Sequence, residues 1–148
     1  MPRVSIGAAA REHGVASYLD GARLWNAAIA SGRTVAELAA PFDLVSVALS
    51  KGLGAPGGSL VAGSRELVGA AVRARRMLGG AMRQVGIFAA AGLYAIEHHR
   101  AGLHEDHAHA RLIAERIAGC PGVRLDLASV QTNIVVFRMA DGAPDAPA

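Results

Sequence analysis

The sequence contains a single lysine, Lys51, in a turn, Ser50–Gly58 (SKGLGAPGG), that directly follows an apolar run. A phosphate-binding loop of the Walker A kind needs G-x-x-x-x-G-K-[ST]. Here Ser50 precedes the lysine and Gly52 follows it, so that pattern fails. An S-x-x-K acyl-transfer site needs a serine three residues earlier, where Ala48 stands. A lysine that condenses with an aldehyde to form a Schiff base does fit. Such an amine must shed its proton against an ordinary lysine pKa of about 10.4. Burial and neighbouring cations lower that cost, and flanking glycines let a bulky cofactor pass close to the backbone. A solvated lysine in a surface turn fits the same residues, and the chemistry alone leaves both readings open.

Asp20 lies 31 residues upstream, at the end of the apolar run VASYLD and the start of D-G-A-R. A carboxylate at a strand end can point into a cleft. A helix N-cap or an Asx turn at Asp20-Gly21 explains the same residue locally. The densest basic stretch is Arg65, Arg73, Arg75, Arg76 and Arg83. It lacks interleaved aromatics, so it argues against a nucleic-acid partner. A phosphate or carboxylate partner fits it, and so does a solvated helix face. His98, His99, His104, His107 and His109 lie close in sequence. His104 and His107 have a helical metal-ligand spacing, but no third ligand stands out, and the run reads as a solvated face with no metal.

The elements that must position these groups alternate between strand and helix patterns, which argues for an α/β layered fold. Val4–His13 reads as a short helix ended by Gly14, Val15–Asp20 as a strand, and Gly21–Ser31 as a helix with Leu24, Trp25, Ala28 and Ile29 on one face. Thr34–Glu37 matches a capping box, and Pro41 stops that short helix. Asp43–Leu49 and Ser59–Ala62 read as strands on either side of the lysine turn. From Arg65 the pattern is helical, broken at Gly79-Gly80. Val85–Ile96 reads as a buried helix. Leu103–Ala118 is amphipathic, with Ala108, Leu112, Ile113 and Ile117 expected inward. Cys120-Pro121-Gly122 turns the chain, and Val130–Phe137 reads as a last strand.

With 148 residues and 52% hydrophobic composition, the chain suits one domain with a real core. Fourteen of its 15 basic residues are arginine, and the formal net charge is +3. One cysteine excludes an internal disulfide framework, which makes a cytoplasmic location the default. Met1–Ala10 has no signal-peptide pattern, and the longest apolar run is too short to span a membrane, so no membrane partner is expected.

Several stretches, taken in order, resemble the L-threonine aldolase group of the fold-type I pyridoxal-phosphate (PLP) enzymes. They are Tyr18–Asn26 (YLDGARLWN), Pro41–Ser59 (PFDLVSVALSKGLGAPGGS), Met77–Gln84 (MLGGAMRQ), Ala89–His98 (AAAGLYAIEH), Glu105–Ala110 (EDHAHA) and Gln131–Phe137 (QTNIVVF). The resemblance covers nearly the whole chain. It implies that Lys51 is the lysine that holds PLP and that Asp20 pairs with the pyridinium nitrogen, making both catalytic. It further implies that Arg23 contacts the ring oxygen or the substrate carboxylate, and that Arg83 reaches the cofactor phosphate, from its own subunit or across a subunit interface. Arg76 stands where related sequences often carry lysine, a departure that keeps the charge and changes the geometry.

The implied fold is part of the PLP-dependent transferase-like large domain, a mixed, mostly parallel sheet with flanking helices, over residues 1–118. Residues 119–140 begin the small C-terminal domain, and 141–148 form a mobile tail. The implied activity is cleavage of L-threonine, L-allo-threonine and other β-hydroxy-α-amino acids to glycine and an aldehyde by a homo-oligomer. The strands are few for a complete sheet, and in the family the phosphate loop and the ring-stacking histidine lie upstream of the segment matched here. The chain therefore reads as the middle of such an enzyme, expected to bind PLP weakly by itself. A non-catalytic or partner-dependent chain, and a related β-eliminating lyase or racemase, are the competing readings.

Overall fold

The computed structural model describes residues 6–142. The first two residues of the expected Val4–His13 helix and most of the expected tail lie outside the described residues. The order is α1 (Ile6–Glu12), β1 (Tyr18–Gly21), α2 (Leu24–Ser31), α3 (Val35–Ala39), β2 (Leu44–Ala48), β3 (Ser59–Gly63), α4 (Arg65–Met77), α5 (Gly86–His98), α6 (Leu103–Ala118), β4 (Val123–Arg124) and β5 (Arg138–Met139).

Three strands form one mixed sheet in the order β1-β2-β3, with β1 parallel and β3 antiparallel to β2. Parallel neighbours need a crossover, which α2 and α3 supply. The capping box starts α3: the Thr34 N–H and hydroxyl donate to Glu37 Oε2 (2.7 and 2.8 Å), while Glu37 N–H donates to Thr34 Oγ1 (3.1 Å). Those donors hold the Glu37 carboxyl below its ordinary range.

A second knot joins the two parallel strands where they begin. The Ser17 N–H and hydroxyl donate to Asp43 Oδ2 at 2.7 and 2.8 Å, and the Asp43 N–H returns to the Ser17 carbonyl at 3.1 Å. Ser17 is buried, and its two donors hold the Asp43 carboxyl below its ordinary range. With the amino ends tied this way, the register Tyr18↔Leu44 through Gly21↔Val47 follows, and Asp20 falls at the carboxyl end of the sheet.

The core gathers around the turn that carries the lysine. Leu49, Leu53, Ala55, Ala95 and Leu103 are buried together, with Trp25 and Ile96 packed against them. A short 3-10 turn, Arg100–Gly102, joins α5 to α6, and α6 packs on α2.

Four sequence expectations change. Val130–Phe137 forms no strand. Ile134–Phe137 is a genuine apolar run, but a strand needs a ladder partner, and the partner of Val123–Arg124 is Arg138–Met139. On α6 the buried positions are Leu103, Ala110 and Ala114, whereas Ala108, Leu112 and Ile113 are exposed and Ile117 is half-buried. Small residues win that face because they allow close approach to α2. On α2, Leu24 and Ala28 are buried as expected, but Ile29 is exposed and the polar Asn26 is buried instead. On α5 only Gly92 and Ala95 are buried; Ile87, Leu93 and Tyr94 are exposed, because a single side of that helix meets the Leu49–Leu53 core. Among the described residues no helix is long and apolar enough to cross a membrane.

Candidate active site at the carboxyl end of the sheet

Lys51 is exposed, three residues past the end of β2. Its turn is tightly tied. Gly54 N–H donates to the Lys51 carbonyl (2.8 Å), Ala55 N–H to the Leu49 carbonyl (3.0 Å) and Leu49 N–H to the Gly58 carbonyl (3.0 Å). Gly54 has φ +72°, a left-handed conformation that suits a residue without Cβ. Gly52 is needed for a different reason. A Cβ there would lie 2.8 Å from Leu103 Cδ2, 3.1 Å from Asn26 Oδ1 and 3.4 Å from Asp106 Oδ2. The turn thus rests directly on α2 and α6, with its amine directed away from the core.

Asp20 is also exposed, on the strand paired in parallel with β2, opposite Ser46. Its Oδ1 accepts the Ala22 N–H at 3.1 Å, so the local Asx turn does form. That bond uses one oxygen and leaves the carboxylate solvent-facing, so the local reading and a ligand-binding role are compatible. Tyr18, two residues earlier, shares a 2.7 Å hydroxyl–hydroxyl hydrogen bond with Ser46. This bond ties the same two strands together beside Asp20.

Arg23 is the exposed residue just before α2, with a non-helical backbone (φ −125°, ψ 31°). It therefore follows Asp20 by three residues at the same end of β1. Arg83 lies in the connection between α4 and α5 and is exposed. The next residue, Gln84, has φ +53°, the sole positive φ at a non-glycine among the described residues. Such backbone strain gathers at ligand clamps. Sequence pattern carried no signal for it.

Asp20, Arg23 and Lys51 are thus brought to one end of adjacent parallel strands, while Arg83 stands on the separate α4–α5 connection. Sequence reasoning missed the support beneath the turn. His99 Nδ1 lies 2.7 Å from the Leu53 carbonyl, and His107 Nε2 lies 3.3 Å from Asn26 Nδ2. Both residues belong to the run expected to be a solvated face; His99 is exposed as expected yet also bonds the turn, while His107 is half-buried. Among the described residues no group of three or more His, Cys, Asp or Glu could hold a metal.

Comparison with known proteins agrees with this geometry. Residues 4–140 match the family model described as beta-eliminating lyase. The chain is 44% identical over 138 residues to low-specificity L-threonine aldolase 1 of Arabidopsis thaliana, covering 93% of this chain and 38% of that protein. It is 43% identical over 133 residues to the low specificity L-threonine aldolase of Escherichia coli K12, covering 88% and 38%. Two solved structures superpose with 86% of this chain and 36% of their own length. One is a candidate L-allo-threonine aldolase from Listeria monocytogenes EGD-E (TM-score 0.78, 30% identity). The other is a candidate aromatic amino acid beta-eliminating lyase/threonine aldolase from Exiguobacterium sp. 255-15 (TM-score 0.79, 28% identity). The chain spans little more than a third of the length of these relatives. An α/β chain with its single lysine and an aspartate at one end of paired parallel strands, matched over residues 4–140, belongs to the beta-eliminating lyase family.

Proposed function

We propose that this chain is the lysine-bearing part of a PLP-dependent aldehyde-lyase. Its substrates are L-threonine, L-allo-threonine and other β-hydroxy-α-amino acids, which it cleaves to glycine and an aldehyde. The observation that carries the proposal is the placement of Asp20 and Lys51. β1 and β2 are parallel neighbours, Asp20 pairs with Ser46, and Lys51 lies five residues further along the same strand and turn. Ligands of open α/β sheets bind outside the carboxyl ends of such strands.

The donor set suits PLP. A condensable amine, a carboxylate for a protonated ring nitrogen and guanidinium groups for anions are all present on exposed side chains. When bound, PLP supplies an electron sink for the pair released as the Cα–Cβ bond breaks. Lys51 holds the cofactor through its ε-amine. Asp20 keeps a proton on the ring nitrogen by accepting its hydrogen bond. Arg23 binds the substrate carboxylate or the ring oxygen, and Arg83 binds the phosphate. The reaction balances without a co-reactant. The β-hydroxyl proton is removed as the carbonyl of the aldehyde forms, and a proton returns to Cα to give glycine. Residues 119–140 begin a second, smaller unit of the whole enzyme, and the enzyme acts as a homo-oligomer in the cytoplasm.

The test is to incubate the full-length protein carrying this chain with L-threonine and PLP. Glycine and acetaldehyde appear in equal amounts. A missing glycine signal would overturn the aldolase reading. Release of ammonia and a 2-oxo acid would instead favour a β-eliminating lyase, the alternative that the family match itself keeps in play.

A further inference from the structure

The lysine turn is tied to the end of α5 by a residue that plays no part in the chemistry above. Leu53 is 1% exposed, and its carbonyl faces the ring of His99 at the end of α5. The Nδ1 to oxygen distance is 2.7 Å. A carbonyl can only accept, so Nδ1 carries the proton and donates. The His99 backbone N–H donates to the Ala95 carbonyl at 2.9 Å, which caps α5 and fixes where the ring begins. The Tyr94 ring meets the imidazole edge-to-face, with centroids 5.5 Å apart and planes at 85°, and this fixes its tilt.

A second anchor lies on the other side of the turn. Asn26, 2% exposed, offers Nδ2 to His107 Nε2 at 3.3 Å. Its Oδ1, with Asp106 and Leu103, forms the floor on which Gly52 sits. Two consecutive residues of the turn are therefore held, Gly52 by α2 and α6 and Leu53 by His99 at the end of α5. Lys51 immediately precedes them.

We infer that His99 is a positioning residue for Lys51. Its Nδ1–H bond to the Leu53 carbonyl fixes the turn, and so fixes the direction in which the ε-amine leaves the sheet edge. The His99 bond closes the exposed side of a turn whose other backbone bonds run within residues 49–58. The inference deepens the cofactor-lysine reading proposed above and rests on it.

The test compares the full-length holoprotein with His99→Phe, which keeps an aromatic ring and loses the donor, and His99→Asn, which keeps a side-chain N–H. Two readouts apply. The first is amide hydrogen exchange at Gly54 and Ala55, with β2 amides as an internal control for folding. The second is the rate at which PLP and borohydride give a reduced adduct on Lys51. His99→Phe exchanges about tenfold faster at Gly54 and Ala55, roughly the factor set by one ordinary hydrogen bond, with β2 unchanged, and it forms the adduct correspondingly more slowly. His99→Asn stays close to the parent in both. If His99→Phe does not fold, His99→Met makes the same comparison. Parental exchange and parental adduct rate in a folded donor-free variant overturn the inference, as does His99→Asn behaving like that variant. A parent that gives no Lys51 adduct instead overturns the cofactor-lysine reading, and the exchange readout still reports whether His99 orders the turn.

Discussion

At the scale of single residues, Lys51 stands exposed on a turn whose next two residues, Gly52 and Leu53, pack against the core. One lysine in a whole chain is conspicuous, and the glycines around it announce a tight turn. Nothing local could show that Gly52 lies against Asn26, Leu103 and Asp106, because those residues come from helices far away in sequence. Asn26 illustrates the point. On a helical wheel it is a polar residue among apolar ones, yet it is buried, because its amide fills the space between α6 and the lysine turn. Two outcomes follow. Lys51→Ala in the full-length protein removes the borohydride-stable adduct from this segment and brings glycine production to background. Gly52→Ala places a methyl 2.8 Å from the buried Leu103 side chain. In a packed core that overfilling costs about 1–3 kcal/mol, read as a lowered urea midpoint with an unchanged slope.

At the scale of elements, a motif that closes on itself and a strand made of one strong apolar run are both legible in sequence, whereas the buried face of a helix is not. The Thr34–Glu37 box is complete within four residues, and it forms. The apolar run before the lysine becomes β2 within a residue at each end of its expected span. Val130–Phe137 carries the apolar run of a strand at Ile134–Phe137 but has no ladder to join, and on α6 the large apolar Leu112 and Ile113 stay exposed. Ala114, at 0% exposure, shows that close helix approach decided instead. Thr34→Ala removes the cap bond from Glu37 N–H and the hydroxyl's bond to Glu37 Oε2, leaving the backbone N–H bond, at a cost of about 1 kcal/mol, seen as a small fall in melting temperature. The Ser17–Asp43 knot carries a pH dependence. Hydrogen bonds from Ser17 depress the Asp43 carboxyl in the folded state. Its contribution is therefore fully present above the ordinary carboxylate value of 3.8 and is lost as pH falls through the depressed folded value. Asp43→Asn should flatten that part of the stability–pH curve, and an unchanged acid limb in the variant would show that the knot does not matter.

At the scale of the whole molecule, the layered α/β architecture followed from the alternation of element patterns, whereas the extent of exposed apolar surface did not. Met77, the last residue of α4, and Leu78 are 85% and 86% exposed; Met82 and Val85 in the connection beside Arg83, and Ile87 at the start of α5, are exposed too. No local pattern distinguishes such a surface from a core. The homo-oligomer proposed above would cover this surface, and it predicts by light scattering on the full-length protein a mass that is a multiple of the protomer, falling when Met77 and Ile87 are both changed to glutamate. The central claim, that Lys51 holds the cofactor, is tested most directly by reducing the PLP-loaded full-length protein with borohydride and sequencing its peptides by mass spectrometry. The account predicts a stoichiometric pyridoxyl adduct on the peptide containing Ser50-Lys51-Gly52. An adduct confined to other residues, with Lys51 unmodified, would contradict it.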